Sequence, residues 1–275
     1  MSAPPYLMED PREADRLAAK VDPATWARRH VPAQLPATAR ILDVGCGPAV
    51  IAARIAADRP RATVIGVDRT DARLTAATDL IDGQQPPANL RLLRADARAL
   101  PFHTGTFDWV FCRFLLEYLT DPLQAVSEMV RVTRSGGTVL LQDLDGQLLW
   151  HHPIDQDLQR PLERIIGSLG VTGFDPFMGR KLYHLAHRAG LVDLHAAIDP
   201  HHLIAGGADA TTLQQWRLKL DIARDAVVSA GETPADVDAL TDRFLRYLQR
   251  PDTLTYSAAF TITAKRMSGF AEPSH

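Results

Sequence analysis

The first half of the chain alternates between short apolar runs and longer runs whose apolar residues recur at helical spacing. Runs such as ILDV and TVIGVD are typical of buried strands, whereas VIAARIAAD carries small apolar residues on one helical face. The pattern predicts strands at 41–44, 62–68, 90–96, 107–114 and 138–144, and helices at 49–58, 70–82 and 121–133. Alternation of this kind predicts crossover connections, and therefore a parallel sheet with helices on both faces.

The pattern changes in the second half, where residues 149–254 are mostly helical. Apolar residues recur at i, i+3 and i+4 in four segments, which predict helices at 157–170, 179–191, 211–228 and 235–250. The run LVDLHAAI predicts a strand between these helices, and the β-branched and aromatic residues of TYSAAFTITAKR predict a final strand.

Composition narrows the class of protein. The chain has 275 residues, 46% of them hydrophobic and 23% charged, which is typical of a globular protein. A net charge of −3 argues against a general nucleic-acid binder. No apolar run is long enough to span a membrane, and the N-terminus lacks a signal-peptide pattern. Cys46 lies in a glycine turn and Cys112 in an apolar strand, so we expect free thiols and a cytoplasmic protein.

A glycine turn and three acids point to the ligand. The turn after the first strand, ILDVGCGPAV, has Gly45 and Gly47 but lacks the spacing of the dinucleotide fingerprint. Asp68 ends the second strand, where a carboxylate can accept hydrogen bonds from both hydroxyls of a ribose. Asp96 ends the third strand, where it can accept a hydrogen bond from the adenine amine. No P-loop lysine is present, so an adenosine with an amino-acid tail fits best, and Asp43 can meet the ammonium of that tail through water.

The same segments resemble the class I S-adenosylmethionine-dependent methyltransferases. LDVGCGPA is similar to the first motif of that family and VIGVD to the second, and LLRADARALPF is similar to a segment of its small-molecule branch. The resemblance runs continuously over about residues 41–143 and returns weakly at RKLYHLAHRAGLVDLH. Ala49 stands where many members have a third glycine. The resemblance implies a doubly wound, mostly parallel, seven-stranded Rossmann-like sheet, with an antiparallel last strand and helical insertions that form a cap.

The resemblance also implies a cofactor, S-adenosyl-L-methionine, and positions for it. Gly45 and Gly47, with Cys46 between them, would line its methionine part, and Asp68 would bind the ribose. Asp96 and Ala97 would hold the adenine. The remaining expected contacts are Arg69 beside the adenine, Arg113 and Phe114 beneath the methionine end, and Asp43 at the turn. A surface ion pair is the alternative interpretation of Arg113.

Residues for the acceptor are harder to choose. The run QDLDGQLLWHH is expected to leave the carboxyl edge of the sheet, which makes His151 or His152 a candidate general base and Trp150 a pocket wall. Tyr183 on a predicted helix is a further candidate substrate contact, with a packed helix face as its alternative. His201 and His202, after a predicted strand, can line the substrate mouth. No metal site is expected.

The N-terminal stretch precedes the first strand and contains a predicted amphipathic helix, PREADRLAAK. Tyr6, Arg16 and Trp26 are candidates for a lid over the cofactor, and packing against the sheet is the alternative. We therefore divide the chain into a lid (1–36), a cofactor-binding core (37–150) and a helical substrate cap interleaved with the last two strands (151–275).

The sequence therefore predicts an enzyme that methylates a small molecule, such as a specialised metabolite. The alternatives are a cyclisation or another non-methylating reaction in the same fold, or a regulatory module that binds the cofactor. We expect neither a nucleic-acid partner nor a membrane span, and a homodimer is left open. The nature of the methylated atom, oxygen, nitrogen or carbon, is left open too.

Overall fold

A computed structural model describes residue 18 and residues 21–82, 87–170 and 173–267. Within them the chain forms an α/β sheet protein whose strands and helices alternate up to the fifth strand, except that β3 leads to β4 without a helix between them. The strands are β1 (Arg40–Val44), β2 (Thr63–Asp68), β3 (Leu90–Arg94), β4 (Phe107–Arg113), β5 (Thr133–His152), β6 (Leu191–Ala205) and β7 (Leu254–Arg266). The helices are α1 (Pro23–His30), α2 (Val50–Asp58), α3 (Asp71–Asp82), α4 (Pro122–Val132), α5 (Gln156–Leu169), α6 (Met178–Arg188), α7 (Ala210–Ser229) and α8 (Pro234–Leu248).

The seven strands form one sheet in the order β3-β2-β1-β4-β5-β7-β6. The first five pair in parallel, and β7 runs antiparallel to both β5 and β6. The chain therefore leaves β1 on one side for β2 and β3 and crosses to the other side for β4. Parallel sheets of this kind bind ligands beyond the carboxyl ends of the strands near this crossover. The predicted sheet, including its antiparallel last strand, is confirmed.

Two apolar clusters cover the two faces of the sheet. On one face, helices α4 and α6 pack against the central strands, with Met129 and Leu182 fully buried. On the other face, α1, α2 and α3 pack against Trp109 and Phe111, which are also fully buried. Helices α5, α7 and α8, called the cap helices here, form separate clusters of their own around Phe244 and Ile166. The boundaries at residues 36 and 150 stay predictions.

Several predicted boundaries were wrong. The run QDLDGQLLWHH does not leave the sheet, because β5 continues to His152 and pairs with β7 after an irregularity between Asp145 and Trp150. The strand β6 likewise extends to Ala205, so His201 and His202 lie within it. The long antiparallel partner β7 supplies the hydrogen bonds that prolong both strands.

Candidate active site

The glycine turn after β1 is held against β2 by its backbone. The amides of Gly45 and Cys46 both donate to the Val67 carbonyl, at 2.8 and 3.0 Å. Gly45 has a φ of +74° and Gly47 a φ of +51°, in the left-handed region that favours glycine. A Cβ on Gly45 would lie 2.9 Å from the Leu115 side chain, whereas a Cβ on Gly47 would meet nothing within 4 Å. The turn is therefore packed at Gly45 and open at Gly47.

Asp68 at the end of β2 is joined directly to this turn. Its Oδ2 accepts a hydrogen bond from the Gly47 amide at 3.1 Å, and its Oδ1 accepts from the backbone and hydroxyl of Thr70 at 3.3 Å. The carboxylate is 7% exposed and lies 3.9 Å from the Arg73 guanidinium. The structure thus brings two predicted cofactor residues together, while the ribose role of Asp68 stays a prediction.

Asp96 lies just beyond β3 and is paired with a neighbour. Arg98 donates to both carboxylate oxygens, with Nη2 2.7 Å from Oδ2 and Nε 3.1 Å from Oδ1. These hydrogen bonds lower the pKa of Asp96. Ala97 follows it and packs against the sheet cluster, and Arg69 accepts a hydrogen bond on its carbonyl from Arg94. The adenine contacts assigned to these residues stay predictions.

A cavity of about 90 Å³ opens beside the glycine turn. One side of it is lined by residues from β1, the turn and the neighbouring helices, namely Val21, Asp43, Gly45, Cys46, Gly47, Pro48, Val50, Ile51 and Arg73. The other side is lined by residues from the ends of β4, β5 and β6 and from the cap helix α7, namely Arg113, Phe114, Glu117, Tyr118, Leu144, Gln147, His201, His202 and Lys219. The cavity therefore joins the predicted cofactor turn to the helical insertion.

Arg113 at the end of β4 lines this cavity. Its guanidinium is 3.8 Å from the centre of the Phe114 ring, and its Nε is buried without a hydrogen-bond partner among the described residues. Burial lowers the pKa of Arg113 to about 10, against the opposing effect of Asp43, Asp143 and Glu117. The surface-ion-pair interpretation of Arg113 is therefore wrong, because the guanidinium lies inside the molecule among three carboxyl groups.

Those carboxyl groups are buried and perturbed. Burial, and then the nearby Asp68, raise the pKa of Asp43 to about 8. Burial raises the pKa of Asp143 to about 7 and that of Glu117 well above its usual range. Glu117 and Asp143 are neighbours, since the Glu117 amide donates to Asp143 Oδ2 at 3.1 Å. At neutral pH this part of the site holds protons that exposed carboxyl groups would have lost.

Three polar side chains at the cavity, those of Glu117, Gln147 and Lys219, were not predicted from the sequence. Lys219 donates to the side-chain oxygen of Gln147, and the Gln147 amide nitrogen donates to Glu117. Glu117 follows β4 inside the apolar run FLLEYL. A lone acid in an apolar run after a strand indicates a candidate site residue, so this position could have been predicted. Gln147 and Lys219 carried no such signal, because only the folding of α7 over β5 brings them together.

The predicted catalytic histidines do not reach this cavity. His151 is packed against Phe244 and Tyr247, at ring distances of 5.3 and 5.5 Å, and its Nδ1 lies 3.0 Å from the Thr255 hydroxyl. Burial lowers its pKa. His152 is exposed at the end of β5. Since β5 continues through this segment, both side chains lie beside β7 and the cap, outside the lining of this cavity, and the general-base role of either histidine stays a prediction.

Two further predicted substrate contacts also lie elsewhere. Trp150 packs on Tyr256 of β7, with ring centres 5.2 Å apart. Tyr183 is 50% exposed on α6, a helix that packs against the sheet through its opposite face. In contrast, His201 and His202 do line the cavity. His202 has a φ of +50°, and its Nδ1 lies 3.1 Å from the Ser257 hydroxyl.

Trp26 lies in the core and does not line the cavity. Its ring lies 5.2 Å from Phe111 and 6.4 Å from Trp109, and its Nε1 donates to Gln142 Oε1 at 2.8 Å. The residue is 7% exposed, so packing on the sheet, the alternative to the lid hypothesis, describes its position. Tyr6 and Arg16, the other lid candidates, lie outside the described residues.

Comparison with known proteins identifies the family. Residues 42–141 match the family model described as a methyltransferase domain. An uncharacterised methyltransferase of Schizosaccharomyces pombe is 30% identical over 219 residues, which cover 76% of this chain and 74% of the relative. The chain belongs to the class I S-adenosylmethionine-dependent methyltransferases. It is an enzyme, and its cofactor is S-adenosyl-L-methionine.

Two other proteins extend this comparison. A malonyl-[acyl-carrier protein] O-methyltransferase of Laribacter hongkongensis is 26% identical to this methyltransferase over 264 residues, 86% of this chain and 82% of the relative. Phosphoethanolamine N-methyltransferase 2 of Haemonchus contortus, solved with S-adenosyl-L-methionine, has the same fold at a TM-score of 0.55 and 17% identity. That match covers 90% of this chain and 52% of the other.

The lining of the cavity suits the amino-acid end of such a cofactor. The space beside Gly47 is open, and the buried Arg113 Nε has no partner among the described residues, so a carboxylate can be accommodated there. Asp43 on the same side suits an ammonium group. Among the described residues, no group of His, Cys, Asp and Glu side chains is arranged to hold a metal ion. No helix in the described part of the chain is long and apolar enough to cross a membrane.

Proposed function

We propose that this methyltransferase transfers the methyl group of S-adenosylmethionine to a small-molecule acceptor held between the glycine turn and the cap helices. The observation that carries the proposal is that Gly47 on the cofactor side and Lys219, His201 and His202 on the acceptor side line the same cavity. A cavity enclosed by a helical insertion suits a small acceptor and excludes a polymer chain. The net charge of −3 supports the same choice over a nucleic-acid substrate.

The cofactor is assigned to the side with the glycine turn. Gly45, Cys46 and Gly47 let the backbone approach the methionine part closely, and Asp43, which lines the same cavity, is assigned to its ammonium group through water. Arg113, stacked on Phe114, is assigned to the methionine carboxylate because its Nε is otherwise unsatisfied. Asp68 is assigned to the ribose, and Asp96 with Ala97 and Arg69 to the adenine, from their positions after β2 and β3.

The residues contribute mainly alignment and shielding. When bound, the cofactor supplies an electrophilic methyl group on a positively charged sulfur and departs as a neutral thioether. The insertion residues hold the acceptor against this methyl group, and correct alignment of two reactants can supply about 7 to 11 kcal/mol of the barrier. The apolar side chains of Phe114 and Leu144 line the same cavity and exclude water from it.

The relative from Laribacter hongkongensis supports a small acceptor group. By its name it methylates oxygen on a malonyl group carried by acyl-carrier protein, and it aligns with 86% of this chain. Both cysteines of the present chain are buried free thiols, which supports a reducing compartment such as the cytoplasm.

The test of this function is an unbiased search for the acceptor. The purified protein is incubated with methyl-labelled S-adenosylmethionine and a small-molecule extract of its own cells, and labelled products are identified by mass spectrometry. We expect one labelled compound of low molecular mass that depends on the enzyme. An altered but unlabelled compound would instead support a cyclisation, and the absence of any change would support a binding module.

A further inference from the structure

Three polar side chains form a continuous connection from the cap helices to the floor of the cavity. Lys219 on α7 donates to Gln147 Oε1 on β5, and Gln147 Nε2 donates to Glu117 Oε2 beyond β4. All three line the cavity. Gln147 is 2% exposed and Glu117 1% exposed, so both side chains are buried at the wall of the cavity. Buried polar networks of this kind fix side-chain positions because every unpaired group would be costly.

Glu117 lies near a second acid and near two cations. Asp143 on β5 faces it as a second carboxyl group, while Lys219 on α7 and Arg113 on β4 face the same group of acids as cations. Tyr118 next to it donates a hydrogen bond, and His201 and His202 line the same cavity from β6. Burial and Asp143 raise the pKa of Glu117, and Lys219, Tyr118 and Gln147 oppose that rise. A raised pKa makes the carboxylate form of such a buried acid a stronger base.

We infer that the acceptor is a hydroxyl compound and that Glu117 is the catalytic residue that takes its proton, with Gln147 and Lys219 as positioning residues. This inference rests on the proposed function. The Glu117 carboxylate removes the hydroxyl proton, and the oxygen lone pair forms the bond to the methyl carbon. The electron pair of the broken carbon–sulfur bond stays on sulfur, which becomes neutral. The products are therefore a methyl ether, a neutral thioether and a protonated Glu117.

Other acids and bases near the cavity are less suited to this step. Asp43 lies on the cofactor side, beside the glycine turn. Asp143 is fully buried, and its carboxylate accepts hydrogen bonds from the backbone amides of Glu117 and Leu144. Glu117 combines a place in the cavity wall on the acceptor side with a carboxyl group whose position is fixed by Gln147.

The Lys219 ammonium determines which way the Gln147 amide is turned. Because Lys219 donates to Oε1, the amide nitrogen of Gln147 is directed at Glu117. The positive charge of Lys219 also favours the ionised form of Glu117. Loss of this charge should therefore raise the pH at which Glu117 becomes an effective base, while a purely structural lysine would leave that pH unchanged.

The experiment measures S-adenosylhomocysteine formation from S-adenosylmethionine with the active cell extract over a range of pH. Glu117→Gln keeps an oxygen for Gln147 and is compared with Glu163→Gln, an exposed glutamate on α5. We expect Glu117→Gln to lower the rate by about 10²-fold or more at the pH where the wild-type rate is highest, with S-adenosylmethionine affinity by calorimetry unchanged. The deficit should shrink as pH rises and the hydroxyl ionises unaided. Glu163→Gln should retain the wild-type rate.

A second variant keeps the inference testable if Glu117→Gln does not fold. Lys219→Met should move the acidic limb of the pH–rate profile to higher pH, whereas Lys181→Met, at an exposed lysine on α6, should leave the profile unchanged. Equal pH profiles for Lys219→Met and wild type, or a Glu117→Gln rate within a few-fold of wild type at every pH, would overturn the inference. If the wild-type protein forms no S-adenosylhomocysteine at all, the proposed function itself has failed.

Discussion

Replacing Gly47 with alanine should separate cofactor binding from folding. Gly47 has a φ of +51°, so an alanine there costs about 1 to 2 kcal/mol of folding free energy through backbone strain. Its Cβ would meet no protein atom within 4 Å and would enter the open space of the cavity. If the cofactor occupies that space, the added methyl group should cost about 1 to 3 kcal/mol of binding, or about 5- to 150-fold in affinity.

Gly45→Ala is the matched control. The backbone strain is similar at a φ of +74°, but the added Cβ lies 2.9 Å from Leu115 and would disturb protein packing. Overpacking adds about 1 to 3 kcal/mol, so this variant should lose more folding free energy than Gly47→Ala.

The assays are chemical denaturation without ligand and calorimetric titration with S-adenosylmethionine. We expect Gly45→Ala to be the less stable variant and Gly47→Ala to show a large affinity loss for its small loss of stability. If Gly47→Ala binds S-adenosylmethionine as tightly as wild type, the cofactor does not lie against Gly47, and the assignment of this side of the cavity is refuted.

Three further substitutions test the ribose site, the buried Asp43 and the packing of Trp26. Asp68→Ala should weaken S-adenosylmethionine binding by about 1.5 to 3 kcal/mol in calorimetry, whereas Asp71→Ala, an exposed neighbour, should not; equal affinities would remove the ribose assignment. Asp43 has its pKa raised from 3.8 to about 8, so its contribution to stability is present below about pH 4 and is lost as pH rises through about 8. Asp43→Asn should therefore reduce the fall in unfolding free energy across that window, by up to about 5 kcal/mol, and an unchanged pH slope in denaturant titrations would contradict the raised pKa. Trp26→Phe leaves the buried Gln142 oxygen without its donor and should cost about 1 to 3 kcal/mol of unfolding free energy; a variant as stable as wild type would show that this contact is not structural.

Local sequence signals were sufficient for the core of the fold. Each apolar strand, the glycine turn and the acids at the ends of β2 and β3 can be recognised from a few consecutive residues. The sheet follows from the alternation of strands and helices along the chain. Helix α1 was missed as an element although Asp22 accepts from its first amides and Pro23 begins it, a recognisable start signal.

The acceptor side of the cavity depends on contacts that no local pattern contains. Both histidine pairs, at 151–152 and 201–202, lie in strands whose register is irregular nearby. Because successive side chains of a strand face opposite sides, such irregularities decide which histidine reaches the cavity. Glu117, Gln147 and Lys219 meet only when α7 folds over the end of β5, so their connection could not be predicted from spacing along the chain.

The stoichiometry of the reaction shows whether this protein moves a methyl group. With the identified acceptor and methyl-labelled S-adenosylmethionine, the amounts of S-adenosylhomocysteine and of labelled product are measured together during steady turnover. For a methyltransferase we expect one S-adenosylhomocysteine for each labelled acceptor molecule. An acceptor that is converted while S-adenosylmethionine remains intact would contradict it.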